Sequence, residues 1–125
     1  MPKMKRLLTE AEAKILTVLW ERPGQTMMEI TRALEQETGW SKHTVTTLLK
    51  RMMDKGTVRL DDSGPVRRYS PAIGQETVTQ LETRALLDRL FGGDAARLVR
   101  SLLDDGALTR EALAEIAASP DSTKA

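Results

Sequence analysis

The sequence predicts a mainly α fold, a winged helix-turn-helix of three helices and a β-hairpin wing, followed by a C-terminal helical region. Three observations predict it. Helix caps recur through the first 56 residues, a short segment of alternating side chains then interrupts the helical period, and leucine-rich helical stripes fill the remainder. With two Trp, one Tyr and one Phe among 125 residues, aliphatic side chains must build the core, which suits a helical protein.

Two capping boxes mark the first two helices. Thr9 and Glu12 stand at the spacing at which a threonine hydroxyl bonds forward to the helix and a glutamate bonds back to the cap. Thr26 and Glu29 repeat this arrangement. Gly39 then supplies the residue type that most readily ends a helix in the left-handed conformation. The connection to the third helix is therefore short, as in a helix-turn-helix.

The third helix is predicted from Ser41, its cap, to Gly56. On a helical wheel its apolar residues Leu48, Leu49 and Met52 lie within about 60° of Val45. Its outer face is cationic and rich in short hydroxyls, with no acid before Asp54, and it carries Lys42, His43, Thr44, Thr46, Thr47, Lys50 and Arg51. A helix with such a face fits the DNA major groove, where helices read base edges.

The helical period gives way to alternation after the third helix. Residues 57–60 and 66–70 are typical of two strands around a turn that contains Gly64-Pro65. Alternation places Arg67 and Arg68 on opposite faces of the returning strand. We expect one of them to reach the DNA backbone, with Arg67 preferred, and the other to pair with an acid. Three helices and a basic hairpin follow the order of a winged helix.

Helical stripes return at Gln75 and continue to residue 118. Gly92-Gly93 and Gly106 separate three short amphipathic helices, of which Asp94 and Thr109 cap the last two. Helices of this length cannot enclose a core alone, so we expect a dimerisation region in which a second copy covers them. Its predicted residues are Val78, Leu81, Leu86, Leu90, Phe91, Leu98, Val99, Leu102, Leu103, Leu113 and Ile116. The predicted domains are 1–73 and 74–118, with a flexible tail at 119–125.

Charge and composition limit the functions available. Residues 1–72 hold 13 Lys/Arg against 9 Asp/Glu, whereas residues 73–125 hold 6 against 9, so the first half suits a polyanionic partner. The chain has no cysteine, and His43 is its single histidine, so we expect no metal, no cofactor and no enzymatic activity. No apolar run reaches the ~18 residues of a membrane span, and the start lacks a secretory signal, so we expect a cytoplasmic location.

Positions on the third helix suggest different contacts with DNA. His43, Thr46 and Thr47 are the candidates for base edges, because they carry short polar groups on the outward side. Lys42, near the helix start, is assigned to the phosphate backbone. Lys50 suits either the O6 and N7 atoms of guanine or a phosphate. Phosphate contacts would provide affinity, and base contacts would provide specificity.

Four further side chains flank this surface. Arg51 lies at the edge of the helix, where a phosphate contact, a salt bridge and base readout are all open. Ser41 and Thr26 begin helices, where the hydroxyl caps and the free N–H groups can hold a phosphate. Trp40 is expected in the core rather than as a platform for stacked bases.

Six short segments, taken in order, carry a resemblance to a known family. They are Thr-Glu-Ala-Glu-x-x-Ile-Leu-x-x-Leu-Trp at 9–20, Trp-Ser-x-x-Thr-Val-x-Thr-Leu-Leu-x-Arg at 40–51, Lys55-Gly56, Tyr69-x-Pro71, Leu90-Phe91-Gly92-Gly93 and Leu108-Thr109-x-Glu111. Together they make the chain resemble the penicillinase-repressor (BlaI/MecI/CopY) group of bacterial transcriptional regulators over roughly residues 7–118. The resemblance implies a homodimeric repressor on a near-palindromic double-stranded DNA operator, with intertwined C-terminal helices.

The same resemblance bears on how repression ends. In antibiotic-responsive members of the group, a membrane sensor-protease pathway leads to cleavage of the repressor, usually at an Asn-Phe bond. The corresponding bond here is Ser101-Leu102, which implies a protease of different preference if this bond is cut. Copper-responsive members carry a C-terminal cysteine cluster, which this sequence lacks. The inducing signal therefore stays open.

Two other functions are compatible with the sequence. The winged helix can serve as a protein-interaction module that does not read DNA, although Arg67 and Arg68 favour DNA. The chain can also be a regulator that binds a small ligand between its C-terminal helices. In that case Asp88, Arg97 and Arg100 are the candidates to line a small cleft.

Overall fold

The structure, a computed structural model, describes residues 8–119 as six helices and one two-stranded sheet. The elements are α1 (Glu10–Glu21), α2 (Met27–Thr38), α3 (Lys42–Lys55), β1 (Val58–Asp61), β2 (Arg68–Pro71), α4 (Gln75–Phe91), α5 (Ala95–Asp105) and α6 (Arg110–Ala118). The predicted mainly α fold, with a hairpin after the third helix, is confirmed. The predicted tail at 119–125 lies outside the described residues except for Ser119.

The chain divides into two compact units within α4. One unit ends at Glu82 and the other begins at Thr83. The predicted domain boundary, between residues 73 and 74, lies just ahead of this helix. The first turns of α4 therefore belong with the winged helix.

Caps set the starts of the first three helices. The hydroxyl of Thr9 accepts a hydrogen bond from the Glu12 N–H at 3.1 Å, and the Glu12 carboxylate accepts one from the Thr9 N–H at 3.0 Å. Thr26 and Glu29 form the same pair of bonds at 3.2 and 2.9 Å. The Ser41 hydroxyl accepts from the amide three residues further on at 3.2 Å. All three helix starts predicted from these residues are present.

Glycines in the left-handed conformation end α2 and α3. Gly39 has φ +70 and Gly56 has φ +85, and a Cβ atom at either position would meet nothing within 4 Å. The cost of a side chain there is therefore one of backbone strain alone. The Ser41 cap at one end and Gly56 at the other limit the third helix to 14 residues.

Replacing Gly56 by alanine is expected to lower the free energy of unfolding by about 1–2 kcal/mol, the cost of a left-handed L-residue. Urea denaturation of the native chain and the variant measures this difference. Gly64→Ala is the control, because Gly64 is equally open but lies outside the left-handed region. It should change the free energy by less than about 0.5 kcal/mol. Equal effects at the two positions would show that backbone strain is not the cause.

A single hydrophobic core joins the first three helices to the hairpin. Its buried members are Leu8, Ile15, Leu16, Leu19, Ile30, Leu34, Val45, Leu48, Leu49, Met52, Val58, Tyr69 and Val78. Trp20 and Trp40 are half-buried against it, and the Trp20 Nε1–H donates to the Ile73 carbonyl at 3.0 Å. Both tryptophans thus pack against the core, as expected for Trp40.

The wing pairs in one register and is anchored on its second strand. Tyr69 lies opposite Leu60 in the antiparallel ladder of β1 and β2. The Tyr69 N–H also donates to the Gln25 carbonyl at 2.8 Å, and the Gln25 N–H donates to the Tyr69 carbonyl at 3.1 Å. Both strands begin later than the predicted ranges 57–60 and 66–70. The reason at the first strand is that the Thr57 N–H closes the end of α3 by donating to the Met52 carbonyl at 3.0 Å.

Candidate nucleic-acid interface

Burial of one side of α3 determines what the helix presents to solvent. Val45, Leu48, Leu49 and Met52 are buried in the core. Of the predicted residues, seven are exposed and Thr44 is half-buried; the seven are Ser41, Lys42, His43, Thr46, Thr47, Lys50 and Arg51. Asp54 and Lys55, at the end of the helix, are also exposed. The structure therefore brings all the predicted third-helix residues except Thr44 onto an accessible surface. We call this set of seven exposed residues the α3 face.

Two threonines of the α3 face use their hydroxyl protons within the helix. Thr46 Oγ1 donates to the Lys42 carbonyl at 2.8 Å, and Thr47 Oγ1 donates to the His43 carbonyl at 3.1 Å. Each hydroxyl then has acceptor capacity left, and each side chain retains its methyl group. Such a group suits the amino groups of adenine and cytosine or the methyl group of thymine. Sequence position alone does not show this preference.

The start of α2 lies beside the α3 face. Thr46 Oγ1 is 3.3 Å from the sulfur of Met27, the first residue of α2. Met28, the next residue, is an exposed large apolar side chain. Neither methionine was a predicted site residue, because a methionine in sequence is most simply a core residue. Only the packing of α2 on α3 identifies Met27 as a neighbour of the surface.

Charged groups collect around the Thr26 cap. The Thr26 N–H holds the pKa of Glu29 below its ordinary value, and the nearby charges of Arg22 and Arg68 lower it further, against a desolvation effect. Arg22 Nη1 lies 4.0 Å from the Glu29 carboxylate. Arg22 was not predicted as a site residue either, because only the fold brings it close to this cap. Thr26 itself is half-buried, with its hydroxyl engaged by the Glu29 N–H.

The two wing arginines have different environments. Arg67 precedes β2 and is exposed. Arg68 Nη1 donates to the Gly24 carbonyl at 3.0 Å, so it connects the wing to the segment before α2. We expected one of the two arginines to pair with an acid, but this hydrogen bond of Arg68 goes to a backbone carbonyl instead. Bonds from Ser63 lower the pKa of Asp61, and the charge of Arg68 contributes to that shift.

Arg67→Ala is expected to weaken binding to all DNA sequences alike and to leave the free energy of unfolding unchanged within about 0.5 kcal/mol. Arg68→Ala should instead lower that free energy by about 1 kcal/mol, because the Gly24 carbonyl loses its charged donor. Denaturation and gel shifts on both variants separate the two roles. The assignment fails if Arg68→Ala leaves stability unchanged.

The predicted dimerisation residues differ in burial. The predicted role in dimerisation is wrong for Val78. This residue is buried in the core of the first unit, because the start of α4 packs on the winged helix, and it is unavailable to a partner. Leu86, Phe91, Leu98, Val99, Leu103 and Leu113 are half-buried, and Leu81, Leu90, Leu102 and Ile116 are exposed. Leu87, which was not predicted, is the one buried apolar residue within 83–119.

The proposed ligand cleft of the C-terminal unit is not supported by the side-chain contacts. Arg97 lies over the ring of Phe91, 5.8 Å from its centroid. Arg100 Nη1 is 3.8 Å from Asp104 on the same helix. Asp88 is 3.4 Å from Arg84, also one turn away. Each of the three candidate residues thus has its own neighbour.

Ser101 and Leu102, the residues of the expected cleavage region, are consecutive exposed residues inside α5. Their peptide bond is therefore helical in this structure. Between residues 8 and 119, no helix combines the length and the apolar character needed to cross a bilayer.

Comparison with known proteins identifies the family to which this arrangement belongs. The model of the penicillinase repressor family matches residues 8–121, which include both units almost completely. The chain belongs to the penicillinase repressor family. This family consists of DNA-binding transcriptional repressors and not of enzymes. The family predicted from the six sequence segments is therefore confirmed.

Individual members and structures of the penicillinase repressor family support the assignment. The chain is 25% identical over 115 residues to the penicillinase repressor of Bacillus licheniformis, with 90% of each chain covered. It is 22% identical to the Staphylococcus aureus penicillinase repressor, covering 87% of this chain and 86% of the relative. It is also similar to the solution structure of B. licheniformis BlaI in its monomeric form in complex with the blaP half-operator. That match has a TM-score of 0.51 and 28% identity, and it covers 61% of this chain and 92% of the other.

Proposed function

We propose that this protein is a transcriptional repressor that reads a two-fold double-stranded DNA operator as a homodimer, with one α3 in each half-site. The α3 face carries the proposal, because burial of the opposite side leaves its cationic and hydroxyl side chains accessible on one helix. The relative whose structure contains a half-operator is similar to this chain over its winged-helix part. That similarity supports one winged helix per half-site.

Within each half-site, the start of α3 meets the backbone and its middle meets the bases. Ser41 and Lys42 lie at the helix N-terminus, where free N–H groups and a positive charge favour a phosphate. His43, Thr47 and Lys50 follow at spacings of three and four residues, so they share one side of the helix. They are the proposed base-reading residues.

Dimerisation supplies the two-fold geometry. Leu90, Leu102 and Ile116 are 59, 39 and 64% exposed, which is unfavourable for large apolar side chains unless another surface covers them. A second copy presents the same residues in return, as a two-fold interface requires. The two α3 helices then enter successive major grooves on one face of the DNA, about 34–36 Å or a multiple of it apart.

Substitutions on α3 test the division between base and phosphate contacts. Thr47→Ala or His43→Ala is expected to reduce discrimination between the operator and single-base variants by about fivefold or more at one base position. Lys42→Ala should weaken binding to every sequence alike and lower the salt slope by about one for each phosphate that the protein no longer neutralises. Gel shifts over a salt series, on duplexes selected from a random pool, measure both effects. If none of the three changes alters binding, α3 is not the reading helix.

Relief of repression by proteolysis is a further part of the proposal, with a membrane sensor-protease pathway as the partner. Proteases bind extended chain, so α5 must unwind locally before the Ser101-Leu102 bond can be cut. Cleavage there would separate Leu102 and Ile116 from the fragment that carries the winged helix. A chain that ends at Ser101 is therefore expected to elute as a monomer in sizing experiments and to bind the operator weakly. A stable dimer of that length would contradict this route.

A further inference from the structure

The most completely buried acid of the first unit lies in the first turn of α1. Glu12 is 0% exposed, and its Oε1 atom accepts from both the Thr9 N–H at 3.0 Å and the Lys55 ammonium at 2.7 Å. Among the described residues, its Oε2 atom has no hydrogen-bond partner and is shielded from solvent. A capping box needs only the first of these bonds, so burial and the lysine go beyond what a cap requires.

The lysine of this pair is the last residue of α3. Lys55 is 35% exposed along its side chain and reaches the start of α1, 43 residues away in sequence. A carboxylate at a helix N-terminus and an ammonium at a helix C-terminus are both favoured by the helix dipoles. The pair therefore joins the positive end of α1 to the negative end of α3.

Such an ion pair restrains α3 in a way that its apolar packing does not. The hydrophobic effect that buries Val45, Leu48, Leu49 and Met52 is non-directional, whereas a charge-assisted hydrogen bond requires a defined distance and angle between two atoms. A buried carboxylate that loses its counter-charge is costly, because desolvation is no longer compensated. Moving the end of α3 away from Glu12 therefore has a high free-energy cost.

We infer that Glu12 and Lys55 are positioning residues for the reading helix, and that they set how well the protein discriminates among DNA sequences rather than how strongly it is attracted to DNA. This inference rests on the proposed function of α3. Base readout needs side chains held to within about 0.5 Å, whereas attraction of a cationic surface to phosphates tolerates looser geometry. Loosening one end of α3 should therefore reduce specific binding more than non-specific binding.

Two other roles of the pair predict different results. If Lys55 simply bound a phosphate, Lys55→Met would weaken binding to all sequences equally and lower the salt slope by about one per phosphate. If charge alone mattered, Glu12→Gln would strengthen binding to all sequences, because it makes the chain more positive. Positioning predicts the opposite sign for the operator, with an unchanged salt slope.

The test compares two affinities at several salt concentrations. The first is for the duplex most enriched from a random pool by the native chain, and the second is for a scrambled duplex of equal length. Glu12→Gln, which keeps an oxygen for the Thr9 N–H, and Lys55→Met are each expected to lower the ratio of the two affinities about tenfold, comparable to the effect of removing one good base-reading side chain. Lys55→Arg should retain most of the native ratio.

Lys14→Met is the matched control, because Lys14 forms an ion pair with Glu37 and its side chain is 39% exposed, close to the value for Lys55. It should leave the ratio within about twofold of the native value, within the range of a neutral surface change. The double variant Glu12→Gln/Lys55→Met leaves no unpaired buried charge and keeps the test open if a single variant fails to fold. Positioning predicts that its ratio stays low even where circular dichroism shows it fully folded.

Several results would overturn the inference. Ratios that stay at the native value in the folded variants would show that the pair does not position α3. Equal losses on both duplexes with a lower salt slope would make Lys55 a phosphate ligand. If the native chain enriches no sequence at all, the proposed DNA-reading function fails, and the inference fails with it.

Discussion

Replacing Leu102 and Ile116 by aspartate is expected to convert the protein to a monomer and to lower its operator affinity by about a hundredfold or more. Both side chains are exposed and apolar in a single copy, so a charge at either position would be buried unpaired in the proposed interface. The loss of affinity follows because a dimer binds its second half-site intramolecularly, a gain of about 10²–10⁴. A monomer binds each half-site independently.

Sizing at micromolar concentration and gel shifts on full and half operators measure these two effects. Affinity for a half operator should be almost the same for the variant and the native chain, because the winged helix is unchanged. Ser101→Asp with Ala114→Asp provides a matched control, since these exposed residues lie about 100° and about 160° around α5 and α6 from Leu102 and Ile116. A dimer that persists in the Leu102 and Ile116 variant would remove the interface proposed for these leucine-rich helices.

Reversing the charges of Lys42 and Arg67 together is expected to lower affinity for all DNA by about a thousandfold or more at 0.15 M salt. Each substitution by glutamate replaces an attraction to phosphate by a repulsion, and the dimer carries both changes twice. The slope of log affinity against log salt should fall by about three to four, the value for four phosphates that the dimer no longer neutralises. Fluorescence anisotropy with a labelled duplex over a salt series gives both quantities.

The control variant has the same net charge as the Lys42 and Arg67 variant, but its substitutions lie in the C-terminal unit. Arg89→Glu with Arg110→Glu changes two exposed arginines of the C-terminal unit. If DNA contacts lie on α3 and the wing, this control should lose less than about tenfold, mainly through the weaker long-range field. Equal losses in the two double variants would show that net charge, and not the proposed surface, governs binding.

Local signals in the sequence were sufficient for most of the fold. The caps at Thr9, Thr26 and Ser41 depend on residues three positions apart, so their hydrogen bonds could be predicted without knowledge of the fold. The end of α3 at Gly56 is equally local. The exposed side of α3 followed from its period, because a core-facing apolar stripe leaves the other side to solvent.

Features that depend on distant segments could not be predicted. Val78 has the same helical spacing as exposed leucines of α4, and only the packing of the first unit distinguishes it from them. Arg68 forms its bond 44 residues away, with a carbonyl that carries no side-chain signal. Glu12 could be predicted as a cap residue, but its burial against the end of α3 could not, since 43 residues separate it from Lys55.

The bridge between Gln25 and Tyr69 has a consequence for how copies of this protein can associate. It occupies the edge of β2 that β1 leaves open, so Tyr69 offers no free hydrogen-bonding edge to another molecule. β1 is only four residues long and places charged side chains at Arg59 and Asp61. Short, charged edges of this kind resist strand exchange and fibril growth. Crowding of repressors on neighbouring operators should therefore not lead them to polymerise through their wings.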